Sequence, residues 1–125
     1  MQTNHLYAAV PCVLALTLAA ASPQEPEATN EAGRKIFAEH CASCHGVLGD
    51  GEGVVKHERK ARSFKDGGFS FGNTPEALFR TISTGIPGTP MPGFDSALTE
   101  AERRTVAAYV RELGPDDLPA EPKGS

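Results

Sequence analysis

Residues 41–45 read Cys-Ala-Ser-Cys-His. Two thiols and an imidazole within five residues constrain this chain more than any other feature. On a helical turn, thiols three positions apart lie on one side. C-x-x-C-H is the sequence form of covalent haem attachment. Each thiol can add to a vinyl group of the porphyrin as a thioether, and the following imidazole reaches the iron from the same side. A structural zinc site needs four ligands; Cys41, Cys44 and His45 are three, and no second pair follows. A thioredoxin-like dithiol belongs beside a βαβ pattern, and none is readable. A plain disulfide between Cys41 and Cys44 stays open after export.

A six-coordinate iron needs a second axial ligand. Met91 lies in Gly85-Ile86-Pro87-Gly88-Thr89-Pro90-Met91-Pro92-Gly93-Phe94. Prolines on both sides enforce extended backbone and exclude a helix. A rigid loop can aim a thioether at low entropic cost. The bland alternative for a methionine is a gap-filling core residue. Met91 is the only methionine after the initiator and lies on no apolar helix stripe, so the ligand reading is preferred. His57 sits among Lys56, Glu58, Arg59 and Lys60 and reads as a solvated surface residue. His40 precedes Cys41 and is expected to point away from the ring.

The remaining chain suits one small domain. Of 125 residues, 12 are Lys or Arg and 16 are Asp or Glu, a net charge of −4. That balance argues against nucleic acid, whose binders carry basic patches. Three cysteines cannot build a disulfide-dense scaffold. Residues 1–21 read as a signal peptide: Leu6 to Ala21 carries no charge, is short for a membrane span, and ends in an Ala19-Ala20-Ala21 cleavage pattern. An uncleaved anchor is the alternative. Cys12 is an apolar residue discarded with this leader. The expected location is the periplasm or outside the cell, with no membrane span after cleavage. Residues 22–29 read as a linker, residues 30–113 as the domain, and residues 114–125, rich in proline and charge, as a disordered tail.

Three helices are expected, with no strands. The first runs from about Glu31 to Ala42 behind an Asn30 N-cap. The second has Thr74 as N-cap, Pro75 at its first position and Gly85 at its end. The third opens with a Thr99/Glu102 capping box, carries a stripe of Val106, Tyr109, Val110 and Leu113, and stops at Gly114-Pro115. Residues 46–73 form a long glycine-rich connection without period-2 alternation. A loop of that length needs something beside it to pack on.

From about Gly33 to Leu113 the chain resembles the small class I c-type cytochromes of bacterial periplasms. The haem motif with its trailing Gly46, the Gly-Thr-Pro-Met-Pro loop and the closing Ala-Ala-Tyr-Val-Arg-Glu-Leu helix occur in the family's order. The resemblance implies an all-α cytochrome c fold, with three main helices and irregular loops wrapped around one covalently bound haem c. It implies attachment through Cys41 and Cys44, proximal ligation by His45 and distal ligation by Met91. It implies a close crossing of first and last helices, at which Gly33 and Phe37 meet Tyr109. One departure is evident. The stretch before Arg62-Ser63-Phe64 lacks the family's usual prolines, so the carbonyl that orients the proximal histidine is not assignable. Arg62 and Arg80 are candidate propionate partners.

The expected function is single-electron transfer, without enzymatic activity of its own. The expected partners are transient redox proteins, with the net negative charge favouring a basic docking patch on them. The chain is expected to be monomeric. A five-coordinate haem sensor or enzyme is one alternative; a cytochrome subunit of a larger oxidoreductase is another.

Overall fold

The computed structural model describes residues 26–118, with side chains from residue 29 onward. The leader at 1–21 lies outside the described residues. Four helices follow in order: α1 Pro26–His40, α2 Ala42–His45, α3 Pro75–Thr84 and α4 Glu100–Glu112. Among the described residues there is no strand, and no helix is long and apolar enough to cross a membrane. The expected all-α fold is the observed one.

The first helix differs from expectation at both ends. It starts at Pro26, so residues 26–29 of the expected linker are helical. Proline at a first helical position loses no hydrogen bond and brings a φ already suited to the helix. Asn30 is therefore not a cap; its side-chain amide donates to the Glu112 carboxylate, tying α1 to the end of α4. At the other end the helix does not run through to Ala42. Cys41 takes φ −120° and ψ −38°, and a separate turn, α2, begins behind it. The Cys41 N–H still reaches the Phe37 carbonyl at 2.9 Å, so the break turns the chain without orphaning its donor.

α1 crosses α4 at Gly33. A Cβ placed there would stand 2.6 Å from the Tyr109 Cβ and 2.9 Å from the Thr105 carbonyl oxygen. Only a residue with no side chain lets the two backbones come that close. One turn on, the Phe37 ring lies 5.5 Å from the Tyr109 ring and is almost fully buried. Val106, Ala107 and Val110 complete this face of α4, and Leu78 and Ile82 of α3 pack on it. The caps of α3 and α4 are as expected: Thr74 accepts from the Ala77 N–H at 3.1 Å, and Thr99 and Glu102 form a reciprocal capping box.

The core is thin. Among the described residues nine hydrophobic residues are buried, three of them alanines. Phe64, Phe69, Phe79, Met91 and Phe94 are only partly covered against it.

Residues 46–73 fold back on the helical turn at 42–45. The Gly51 N–H donates to the His45 carbonyl at 2.7 Å, and the Val55 N–H to the Ser43 carbonyl at 2.8 Å. Gly51 has φ +78°, and a Cβ there would lie 2.7 Å from the Ala61 carbonyl oxygen, so the tight return needs glycine. The start of the expected disordered tail is also placed. Gly114 lies against the Phe69 ring, Leu118 against Gly67, and the Arg111 guanidinium donates to the Pro115 carbonyl at 3.2 Å. Residues 119–125 lie outside the described residues.

Candidate functional site

The turn at 41–45 gathers three of the four expected site residues. The Cys44 N–H donates to the Cys41 carbonyl at 3.2 Å and the His45 N–H to the same oxygen at 2.9 Å. Both thiols are free and half-buried. Burial, and then the neighbouring Cys44, push the Cys41 thiol up to about 12. It is thus a neutral thiol packed on the hydrophobic core.

His45 is held on two sides. Its Nδ1 lies 3.1 Å from the Arg62 carbonyl oxygen. A carbonyl only accepts, so Nδ1 carries a proton, and in the neutral imidazole the lone pair then lies on Nε2. Burial pushes the imidazole below its ordinary pKa, against an opposing upward pull from the Arg62 carbonyl. The Phe64 ring stacks on the imidazole at 4.5 Å and 19°. Phe69 stacks in turn on Phe64 at 5.6 Å and 12°, and Phe37 meets Phe64 edge-on at 6.4 Å. Burial thus favours the neutral imidazole, the Arg62 carbonyl fixes its tautomer, and the stacked ring fixes its plane.

This answers the question the missing prolines left open. The acceptor is the backbone of Arg62, while its side chain and that of Arg80 are exposed. The Arg-Ser-Phe element marked the segment, but a carbonyl belongs to every residue and leaves no mark in a sequence. The Phe64 stack was likewise not foreseen.

Met91 is half-buried and packs against the same core cluster as Cys41. Its loop is closed by hydrogen bonds. The Ile86 N–H donates to the Met91 carbonyl at 3.1 Å, and the Met91 N–H to the Thr89 hydroxyl at 3.2 Å. The Phe94 N–H, at 2.9 Å from the Ile82 carbonyl, anchors the far end to α3. His40 is exposed, its ring 6.2 Å from that of Phe94. His57 is exposed as expected, yet its Nε2 is 3.9 Å from the Cys44 sulfur.

Two clefts share His57. One, of about 250 Å³, runs from Cys44 past Val55 to Lys60. The other, of about 380 Å³, lies between residues 57–59 and Gly88 and Pro90 of the Met91 loop. Of the residues lining them, Cys44 belongs to the thiol turn, and Gly88 and Pro90 belong to the methionine loop. Two thiols, an imidazole with a free Nε2 and a thioether are the donor set that a covalent His/Met haem asks for. Among the described residues no group of three or more His, Cys, Asp and Glu side chains could hold a bare metal ion.

Residues 28–110 match the family model described as cytochrome c oxidase, cbb3-type, subunit III. The chain belongs to this cytochrome c family. Its cofactor is haem c. A cbb3-type cytochrome c oxidase subunit CcoP of Rhodobacter capsulatus is 42% identical over 90 residues, covering 66% of this chain and 29% of that protein. The chain spans less than a third of the length of the curated relatives of this kind. Among solved structures, a reducing HAO-like protein complex of Kuenenia stuttgartiensis aligns with TM-score 0.67 and 37% identity, over 76% of this cytochrome and 48% of that chain. Cytochrome cL of Methylophaga aminisulfidivorans aligns with TM-score 0.57 and 25% identity, over 73% and 57%.

Proposed function

We propose that this cytochrome is a one-electron carrier, with Cys41 and Cys44 holding haem c as thioethers and His45 and Met91 as its axial ligands. The observation that carries this reading is the 3.1 Å approach of His45 Nδ1 to the Arg62 carbonyl. It fixes the tautomer whose lone pair lies on Nε2, the form in which a neutral imidazole ligates iron. Bound haem c supplies the ferrous/ferric couple. The protein's own work is positional. The Arg62 carbonyl raises the electron-donating power of His45 through Nδ1–H, and the Phe64 ring holds its plane. The prolines flanking Met91 keep a thioether in place without an entropic cost at each turnover, and thioether ligation raises the potential. Were His45 and Met91 both to hold the haem iron, an outside ligand would find no open site there, which suits electron transfer rather than catalysis.

The reading places the protein in the periplasm, delivered by residues 1–21, cleaved or kept as an anchor, and working as a monomer with transient redox partners. A second reading is favoured by one observation: several curated relatives are named as oxidase subunits. On that reading the cytochrome is a resident subunit of an oxidoreductase. Co-purification with a stoichiometric partner supports it; a monodisperse monomer from native membranes and periplasm counts against it.

The deciding experiment is an absorption spectrum of protein matured in a haem-attaching periplasm, ferric and ferrous, followed by carbon monoxide. A c-type spectrum with the far-red ferric band of methionine ligation, unmoved by carbon monoxide, is expected. A spectrum that shifts with carbon monoxide rejects Met91 as a firm ligand and with it the carrier reading.

A further inference from the structure

The charge of this molecule is unevenly placed along the chain. Residues 56–65 hold Lys56, Arg59, Lys60, Arg62 and Lys65 against a single acid, Glu58. The whole chain nevertheless carries a net −4, so the remainder is strongly acidic. Backbone hydrogen bonds fix where this segment begins. The Gly53 N–H donates to the Cys44 carbonyl at 3.3 Å and the Val55 N–H to the Ser43 carbonyl at 2.8 Å. Lys56 and Lys60 then line the cleft that opens at Cys44, and Arg59 lines its neighbour beside Pro90. Glu52 ion-pairs with both lysines and holds them there. Arg59 and Arg62 are exposed cations beside them.

The same segment opens with the two apolar residues Val54, 88% exposed, and Val55, 43% exposed. An exposed apolar pair rimmed by charge is the anatomy of a transient protein interface. Cations interleaved with Glu52 and Glu58 present a pattern rather than a uniform polybasic run, which fits a patterned protein surface better than an anionic lipid surface.

We propose that the face formed by Val54, Val55 and the cationic segment 56–62 is the docking surface for an acidic patch on a redox partner protein. This rests on the reading of the chain as an electron carrier. It reverses the expectation drawn from net charge, under which the partner's patch would be basic. Short-range complementarity at the face beside Cys44, rather than the total charge, sets the encounter once salt screens the rest.

The test is stopped-flow oxidation of the ferrous holoprotein by hexacyanoferrate(III), a trianion, and by tris(phenanthroline)cobalt(III), a trication. Each event moves one electron from the ferrous protein to the oxidant, giving ferric protein and the reduced complex. Ionic strength is raised from about 0.01 to 1 M, across which the Debye length falls from roughly 30 to 3 Å. The expected result is a rate with the anion that falls several-fold and a rate with the cation that does not fall. An Arg59→Glu, Lys60→Glu variant should invert the pattern while keeping the parent absorption spectrum. Poly-glutamate should slow the anion reaction in the parent and not in the variant.

A rate with the anion that rises with salt means that the net charge governs and overturns the proposal. So does an unchanged pattern in the variant. So does sedimentation of the parent with phosphatidylserine vesicles at physiological salt, lost in the variant, because the surface then serves a membrane. Failure of the carrier reading is distinct: it appears beforehand, as a carbon monoxide shift in the parent spectrum.

Discussion

At the scale of single residues, the site depends on groups that act through His45. Phe64 is the clearest. Its ring is stacked between the imidazole and Phe69, and each aromatic pair is worth about 0.5–1.5 kcal/mol beyond area burial. Phe64→Leu should cost on the order of 1–3 kcal/mol through the two stacks, seen as a lowered Tm. It should also widen the spread of g-values in the low-spin ferric EPR spectrum, because the imidazole plane is released; Phe64→Tyr should restore the parent line shape. A loss of stability alone would leave the g-values where they were. Gly33 is decided by sterics. Alanine is the better helix former by about 1 kcal/mol, but its Cβ would enter the Tyr109 side chain at 2.6 Å. Overpacking of that kind costs about 1–3 kcal/mol, so Gly33→Ala should lower Tm rather than raise it.

At the scale of elements, the helices are held by termini as much as by faces. The α4 box joins Thr99 and Glu102 reciprocally, the Thr99 N–H meeting the Glu102 carboxylate at 2.8 Å. Thr99→Ala should cost about 1 kcal/mol, read from denaturant unfolding. The Thr99 backbone N–H, followed by its hydroxyl, holds the Glu102 carboxyl below its ordinary pKa. A depressed acid contributes stability that is fully present above its unfolded pKa and is lost as pH falls through the folded value. The Tm of the parent should therefore fall on acidification below the ordinary carboxylate range, and a Glu102→Gln variant should show a shallower fall there.

The caps of α3 and α4 were legible because capping is a local exchange between side chains and the nearest backbone donors. The start of α1 was misread for a related reason. Pro26 is a start signal of the same kind as Pro75, but the surrounding proline and acid content reads as linker. Four residues on, Asn30 is tied to Glu112 at the end of α4, a tertiary contact that no local window contains.

At the scale of the molecule, the thin core leads us to expect a fold that depends on its haem c. Nine buried hydrophobic residues, three of them alanine, are few for a domain of this length. A Cys41→Ala, Cys44→Ala variant should lose cooperative helical unfolding in circular dichroism; one that melts like the parent would show that the protein core suffices alone. Charge distribution belongs to this scale too. The net −4 is a property of composition, whereas the placing of Lys56 and Lys60 along the cleft at Cys44 is a property of how residues 53–55 are pinned.

By itself, the sequence determined the cofactor and the existence of the three longer helices. The thiol–imidazole pentapeptide, the proline-bounded Met91 and the capped stripes all rest on short-range covalent spacing and side-chain type. Tertiary structure alone decided which carbonyl orients His45, which ring fixes its plane, that residues 114–118 pack on the loop, and which charges surround the clefts. Those features come from backbone groups that every residue shares and from contacts between segments distant in the chain. They exist only once residues 46–73 have folded back on the turn that carries the motif.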